Sequence, residues 1–216
     1  MLTHYRAVQE VARKIGNQVD RSLEALREGQ VEQEPHFTDR MLGRIEGGLD
    51  GFESRGIKWR AKTLGSIGRG TIGKQESVYG ADFLVTISYD LTDYRIKKGF
   101  LAQAKLIRNG KVDKLHELRA QCEKMLRLSP VSYVFLYDTD GVRVVPASSV
   151  VASSSQPTEH YSWSATHFFE EHLKCFIGDP NIHAATPEIL KELKAKYDSR
   201  TALSLSAKPI EVAGVE

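Results

Sequence analysis

The sequence predicts a mixed α/β fold: a mixed β-sheet flanked by helices, led by a long N-terminal helix and followed by C-terminal helical additions. Three features point to it. Val8, Val11, Ile15, Val19, Leu23 and Leu26 recur at helical spacing over residues 4–28. After Gly80 the pattern changes to apolar, β-branched and aromatic runs at 83–89, 100–107 and 131–137. Between the last two lies an amphipathic stretch, 111–128, long enough to be a crossover helix.

The first helix is stopped by Gly29, and the polar stretch Gln30 to Pro35 reads as a hinge. A second helix is expected from Thr38 as N-cap, with Phe37 and Leu42 as a hydrophobic staple, burying Leu42, Ile45, Leu49 and Phe52 although Gly47 and Gly48 weaken it. Ile57 to Leu64 is a strand, and a glycine-rich loop runs from Gly65 to Gly73. The crossover helix turns Leu115, Leu118, Cys122 and Met125 to one side. Gly141 to Val145 returns as a hairpin partner of 131–137, and Ser164 to Ile177 is a helix closed by Gly178 and Pro180. Thr186-Pro187 opens a last helix to about Tyr197, because proline suits the first helical position. The chain thus divides into an amphipathic helix (1–30) for packing or oligomerisation, an α/β domain (31–198, core 38–150) and an unassigned tail (199–216). There is no internal repeat.

At 216 residues, 41% hydrophobic and 27% charged, the chain supports one ordinary domain with a sizeable core, and wholesale disorder is excluded. No apolar run approaches a membrane span, the N-terminus has no secretory pattern, and a cytoplasmic location is expected. Cys122 and Cys175 cannot make a disulfide framework or a cysteine-based zinc site. Net charge is only +2, but its distribution is uneven. Arg55 to Lys74 and Arg95 to Lys111 hold basic residues and no acidic ones, an electrostatic footprint of a phosphate-backbone binder. Each stretch alone also reads as a solvated strand face.

Both stretches flank one polar constellation. In Gly80-Ala81-Asp82 an acid sits where a tight turn feeds a buried strand. One strand later, alternation puts Leu101, Gln103 and Lys105 on one face and Phe100, Ala102 and Ala104 on the other. Polar groups on an otherwise apolar strand need partners, and a divalent metal with a phosphate would supply them. The spacing alone is weak, since Glu192 and Lys194 repeat it inside a helix.

In strand context, the chain over 38–150 resembles the PD-(D/E)xK nuclease superfamily in its Q-x-K variant, as in Mrr-like endonucleases and archaeal Holliday-junction resolvases. The resemblance implies a restriction-endonuclease-like fold and a Mg²⁺-dependent DNA endonuclease, with Mn²⁺ as a substitute, in bacterial defence or DNA processing. It makes Asp82 the metal-binding acid, puts Gln103 in the second acid's position and makes Lys105 the catalytic lysine. A further carboxylate is expected from Glu46 or Glu76, each of which also reads as a solvent-edge glutamate. The DNA backbone is expected at Arg69, Lys74, Lys97, Lys98 and Arg108. A homo-oligomer is expected, since nuclease folds that cut both strands often dimerise, and a partner protein or activating ligand stays open.

Gln103 removes one negative charge from the implied metal site, which keeps a rival alive: a catalytically silent nucleic-acid-binding or regulatory subunit of the same fold. A third reading, NTP binding at Gly68 to Lys74, lacks the P-loop hydroxyl at position 75, which is Gln, and the helix that must follow directly. The histidines fit no helical metal-binding spacing, and Cys122 falls on the apolar side of its helix. Phe168, Phe169, Leu173, Phe176 and Ile177 read as core or as an interaction face.

Overall fold

The computed structural model describes residues 4–30, 33–65, 80–184 and 186–210. The N-terminal apolar stripe is the buried face of α1 (Tyr5–Arg27), whose Val8, Val11, Ile15, Val19 and Leu23 are inaccessible to solvent. Gly16 on that face lets α1 approach Thr166 so closely that a Cβ would overlap its hydroxyl. The second helix, α2 (Glu34–Leu49), starts four residues before the expected Thr38 cap, so residues read as hinge are helix. Pro35 lies in its first turn, where a missing N–H costs nothing. Thr38 is inside the helix with its hydroxyl donating to the Glu34 carbonyl, 3.0 Å. Phe37 packs on the Tyr137 ring, 4.4 Å between centroids.

Among the described residues nine strands form one mixed, open sheet: β1 (Glu53–Ser54), β2 (Ile57–Leu64), β3 (Phe83–Asp90), β4 (Arg95–Arg108), β5 (Lys111–Val112), β6 (Ser132–Asp138), β7 (Gly141–Pro146), β8 (Trp163–Ser164) and β9 (Thr201–Pro209). Their order is β1-β2-β9-β3-β4-β6-β7-β8, with β5 paired to β4. The pairs β3–β9 and β4–β6 are parallel and the rest antiparallel. The parallel β4–β6 pair is bridged by the crossover helix α3 (Leu115–Leu128). That helix starts later than the sequence pattern implied, because 111–112 fold back on β4 and Lys114 takes a left-handed φ of 54°.

Each side of the sheet carries a core. Phe83, Val85, Phe100, Phe135 and Leu203 pack under α1, α2 and α5 (Ala165–Leu173), the last of which supplies Phe168 and Phe169. Leu84, Leu101, Val134 and Ala202 pack under α3, α4 (Ala147–Ala152) and α6 (Pro187–Lys196). Phe168, Phe169 and Leu173 are therefore core, whereas Phe176 is exposed. Among the described residues no helix is long and apolar enough to cross a membrane.

Residues 201–209, which have no assignment from sequence, form a central strand. β9 runs between β2 and β3, and its Leu203, Leu205 and Ala207 are buried. A chain ending at Ser199 would leave β2 and β3 without their shared neighbour, and it is expected to show no cooperative thermal transition. Leu205→Ala is expected to fold with a loss of about 2–5 kcal/mol in denaturant titration.

Candidate functional site

β4 outruns its neighbour β3. Their last rung pairs Phe83 with Ala102, while β6 accompanies β4 on the other edge as far as Leu106. Strand N–H groups alternate from edge to edge, so Ala104 and Leu106 point theirs to the side that β3 has left. A buried donor without a partner there would cost about 1–3 kcal/mol. Two carboxylates meet them: Asp82 Oδ2 accepts from Ala104 N at 2.9 Å, and Glu34 Oε1 accepts from Leu106 N at 3.3 Å. Lys105 lies between these two residues on β4, and its Nζ is 3.3 Å from Glu34 Oε2.

Each member is held by local structure. The Asp82 N–H donates to the Ala102 carbonyl at 2.8 Å, and its own carbonyl accepts from the Arg200 and Thr201 N–H groups. The turn before it needs glycine: Gly80 has φ +79°, and a Cβ there would sit 2.5 Å from the Gln121 carbonyl oxygen of α3. Glu34 is the first residue of α2, where the helix dipole favours a negative charge. Beside it Asp39 accepts from the Thr201 hydroxyl, 2.6 Å, and pairs with Arg200 at 3.1 Å. The Thr38 and Tyr137 hydroxyls are 3.0 Å apart. A cleft of ≈ 370 Å³ opens along this corner, lined by Glu34, Pro35, Leu106, Arg108, Asp113 and Lys114 among others.

Burial raises the Asp82 carboxyl above its ordinary range; the Ala104 N–H and the Lys105 charge oppose this, and Glu34 adds to it. Burial pushes the Cys122 thiol up to about 12, which removes it as a nucleophile. Gln103 is buried, and its amide reaches the Ala104 carbonyl only at 3.5 Å. Asp82 and Glu34 offer oxygen donors of the kind Mg²⁺ takes, one or two carboxylates with water and phosphate completing the shell. Among the described residues no group of three or more His, Cys, Asp or Glu side chains could hold a metal ion.

The structure brings Asp82, Gln103 and Lys105 together as the strand alternation implied. The carboxylate that joins them is Glu34, a residue the sequence pattern assigned to a hinge. Glu46 lies twelve residues further along α2, about 18 Å by helical rise, with its carboxylate 3.8 Å from Lys62. Glu76, Arg69 and Lys74 lie outside the described residues. Arg108 lines the cleft, but Lys97 is eight residues from Lys105 on β4, about 27 Å away. Lys98 is buried, with its stem packed where a Gly178 side chain would go, so it presents no ammonium group to a DNA backbone. Glu34-Pro35 was a legible helix-start signal, an acid and a proline in a first turn. Nothing local to Asp39 announces Arg200, 161 residues away.

No protein-family model, curated protein or solved structure matches the chain.

The raised Asp82 carboxyl gives a pH signature. A fold that prefers the protonated acid loses stability as pH rises through the folded value, and the loss vanishes below the ordinary carboxylate range, where both states are protonated. Asp82→Asn keeps an acceptor for Ala104 and removes the buried charge. It is expected to melt above the wild type at pH 8, with the gap closing as pH falls. A variant that melts below the wild type at every pH would contradict this electrostatic account.

Proposed function

We propose that the chain is a Mg²⁺-dependent DNA endonuclease of restriction-endonuclease-like fold, hydrolysing phosphodiester bonds at the open edge of β4. The observation that carries this reading is the convergence of Asp82, Glu34 and Lys105 on three consecutive residues of that edge, 104–106, beside a cleft. The succession of α2, β2, β3 entered through Asp82, the Q-x-K strand β4, α3 and β6 supports it, with β9 lying between β2 and β3.

In this reading Asp82 and Glu34 hold the cation through carboxylate oxygens. When bound, the ion supplies Lewis-acid polarisation of the phosphoryl oxygen and lowers the pKa of a coordinated water. Lys105 leaves Glu34 for the scissile phosphate and stabilises the charge that develops there. Gln103 keeps the strand face filled without adding charge. Arg108, at the cleft, holds the adjacent backbone.

The rival, a silent DNA-binding subunit, draws on a specific feature of the same edge: both carboxylates already satisfy backbone donors, and the second acid's position holds a buried amide. Plasmid and duplex cleavage with Mg²⁺, Mn²⁺ or EDTA separates the two. The nuclease reading expects cutting that falls about 10²-fold or more in Asp82→Asn and Lys105→Ala. It expects Glu34→Gln to fall as well, and Glu46→Gln to match the wild type. Mg²⁺ is expected to raise the melting temperature of the wild type and not of Asp82→Asn. A folded protein that neither cuts DNA nor gains stability from Mg²⁺ would leave the binding subunit.

A further inference from the structure

The sheet face that carries the α3, α4 and α6 core changes character from one end to the other. Cross-strand partners share a face, so the registers can be read as rows. Leu64, Ala202, Leu84 and Leu101 form an apolar row, and Lys62, Ser204, Thr86 and Gly99 the next. The third row is Arg60, Ser206, Ser88 and Lys97. Beyond it Lys58 opposes Lys208, and Asp90 opposes Arg95. Among the described residues no helix covers these outer rows: Arg60, Lys97 and Lys208 are exposed. They line a groove of ≈ 1250 Å³ together with Pro180 and His183 among others.

Five cations line this groove, Lys58, Arg60, Arg95, Lys97 and Lys208, against the two acids Glu53 and Asp90. Three of the cations make ion pairs between exposed side chains, Lys58–Glu53, Arg60–Asp50 and Arg95–Asp90, which contribute little. Lys97 and Lys208 have no such pair among the described residues. Lys58 and Lys208 stand directly opposite each other on neighbouring strands, an arrangement that destabilises a sheet. An anion in the groove relieves that repulsion. The row Arg60, Ser206, Ser88 and Lys97 is hydroxyl and cation, and the apolar lining residues Ile96, Pro180, Ala207, Pro209 and Ile210 include none of the large aromatic anchors that protein interfaces are built around. Tyr89 is 2% exposed, which leaves the exposed His183 imidazole as a single ring among the described lining residues, short of the succession of aromatic platforms on which unpaired bases stack.

We infer that this groove binds the phosphate backbone of double-stranded DNA, as a sequence-independent site separate from the Asp82 corner. Ser88 is six residues along β3 from Asp82, about 20 Å. The inference rests on the nuclease reading for the identity of the polyanion, and it adds a second region of contact at the far end of the sheet.

Fluorescence anisotropy of a labelled duplex, read in EDTA across a salt series, tests it apart from cleavage. The double variant Lys97→Ala/Lys208→Ala is expected to bind about tenfold more weakly, with a salt slope reduced by about two. Arg21→Ala/Lys191→Ala removes two exposed charges elsewhere and is expected to bind like the wild type. Unchanged affinity in the groove variant would overturn the inference, as would tighter binding of single strands. Equal competition by polyglutamate would overturn it in favour of an acidic protein partner. Duplex binding that depends on Lys97 and Lys208 in a protein that never cuts DNA would keep the groove and remove the nuclease. Cutting that the double variant leaves unaltered, with duplex affinity also unaltered, would do the reverse.

Discussion

Two backbone donors, the N–H groups of Ala104 and Leu106, face a side of β4 from which β3 has departed. A strand end in that position is costly unless it is paired, covered or capped. Here it is capped by carboxylates delivered from opposite directions, Asp82 from the turn into β3 and Glu34 from the start of α2. Much of the corner follows from this. Gly80 is required to bring Asp82 in against α3, α2 must begin at residue 34, and Lys105 finds a counter-charge on the residue that caps its neighbour.

In the proposed reading the same atoms therefore serve stability and chemistry. A carboxylate that satisfies one N–H still has lone pairs to offer, and a buried, desolvated acid gains more from a cation than an exposed one does. The conflict is visible in Asp82, whose ionisation the fold resists while Lys105 draws it forward. Gln103, buried beside them, adds volume and hydrogen-bonding capacity to the face without a third negative charge.

β9 gives the sheet its second character. By entering between β2 and β3 it brings Ser206 and Lys208 into register with Arg60 and Lys58, and so sets Lys58 opposite a cation 150 residues away in sequence. The two basic stretches flank one candidate site in sequence, yet the fold divides the second of them. β4 carries Arg95 and Lys97 at one end of the sheet and Lys105 and Arg108 at the other, because a fourteen-residue strand spans more than the width of the site.

By itself the sequence determined what local periodicity controls: α1, the alternation of β3 and β4 that turns Gln103 and Lys105 to one face, the crossover helix, the β6–β7 hairpin and the helix capped at Thr186. Each is decided by residues within a turn or a pleat of one another. The candidate site was half legible for that reason, since Asp82 and Lys105 announce themselves against apolar strands. Tertiary structure alone decided the rest. Glu34 meets Lys105 across 71 residues and Asp39 meets Arg200 across 161, and β9 becomes a strand only by filling the gap between β2 and β3. Such partners leave no periodic trace, because their energy comes from a desolvated contact that exists only after the chain has closed around it.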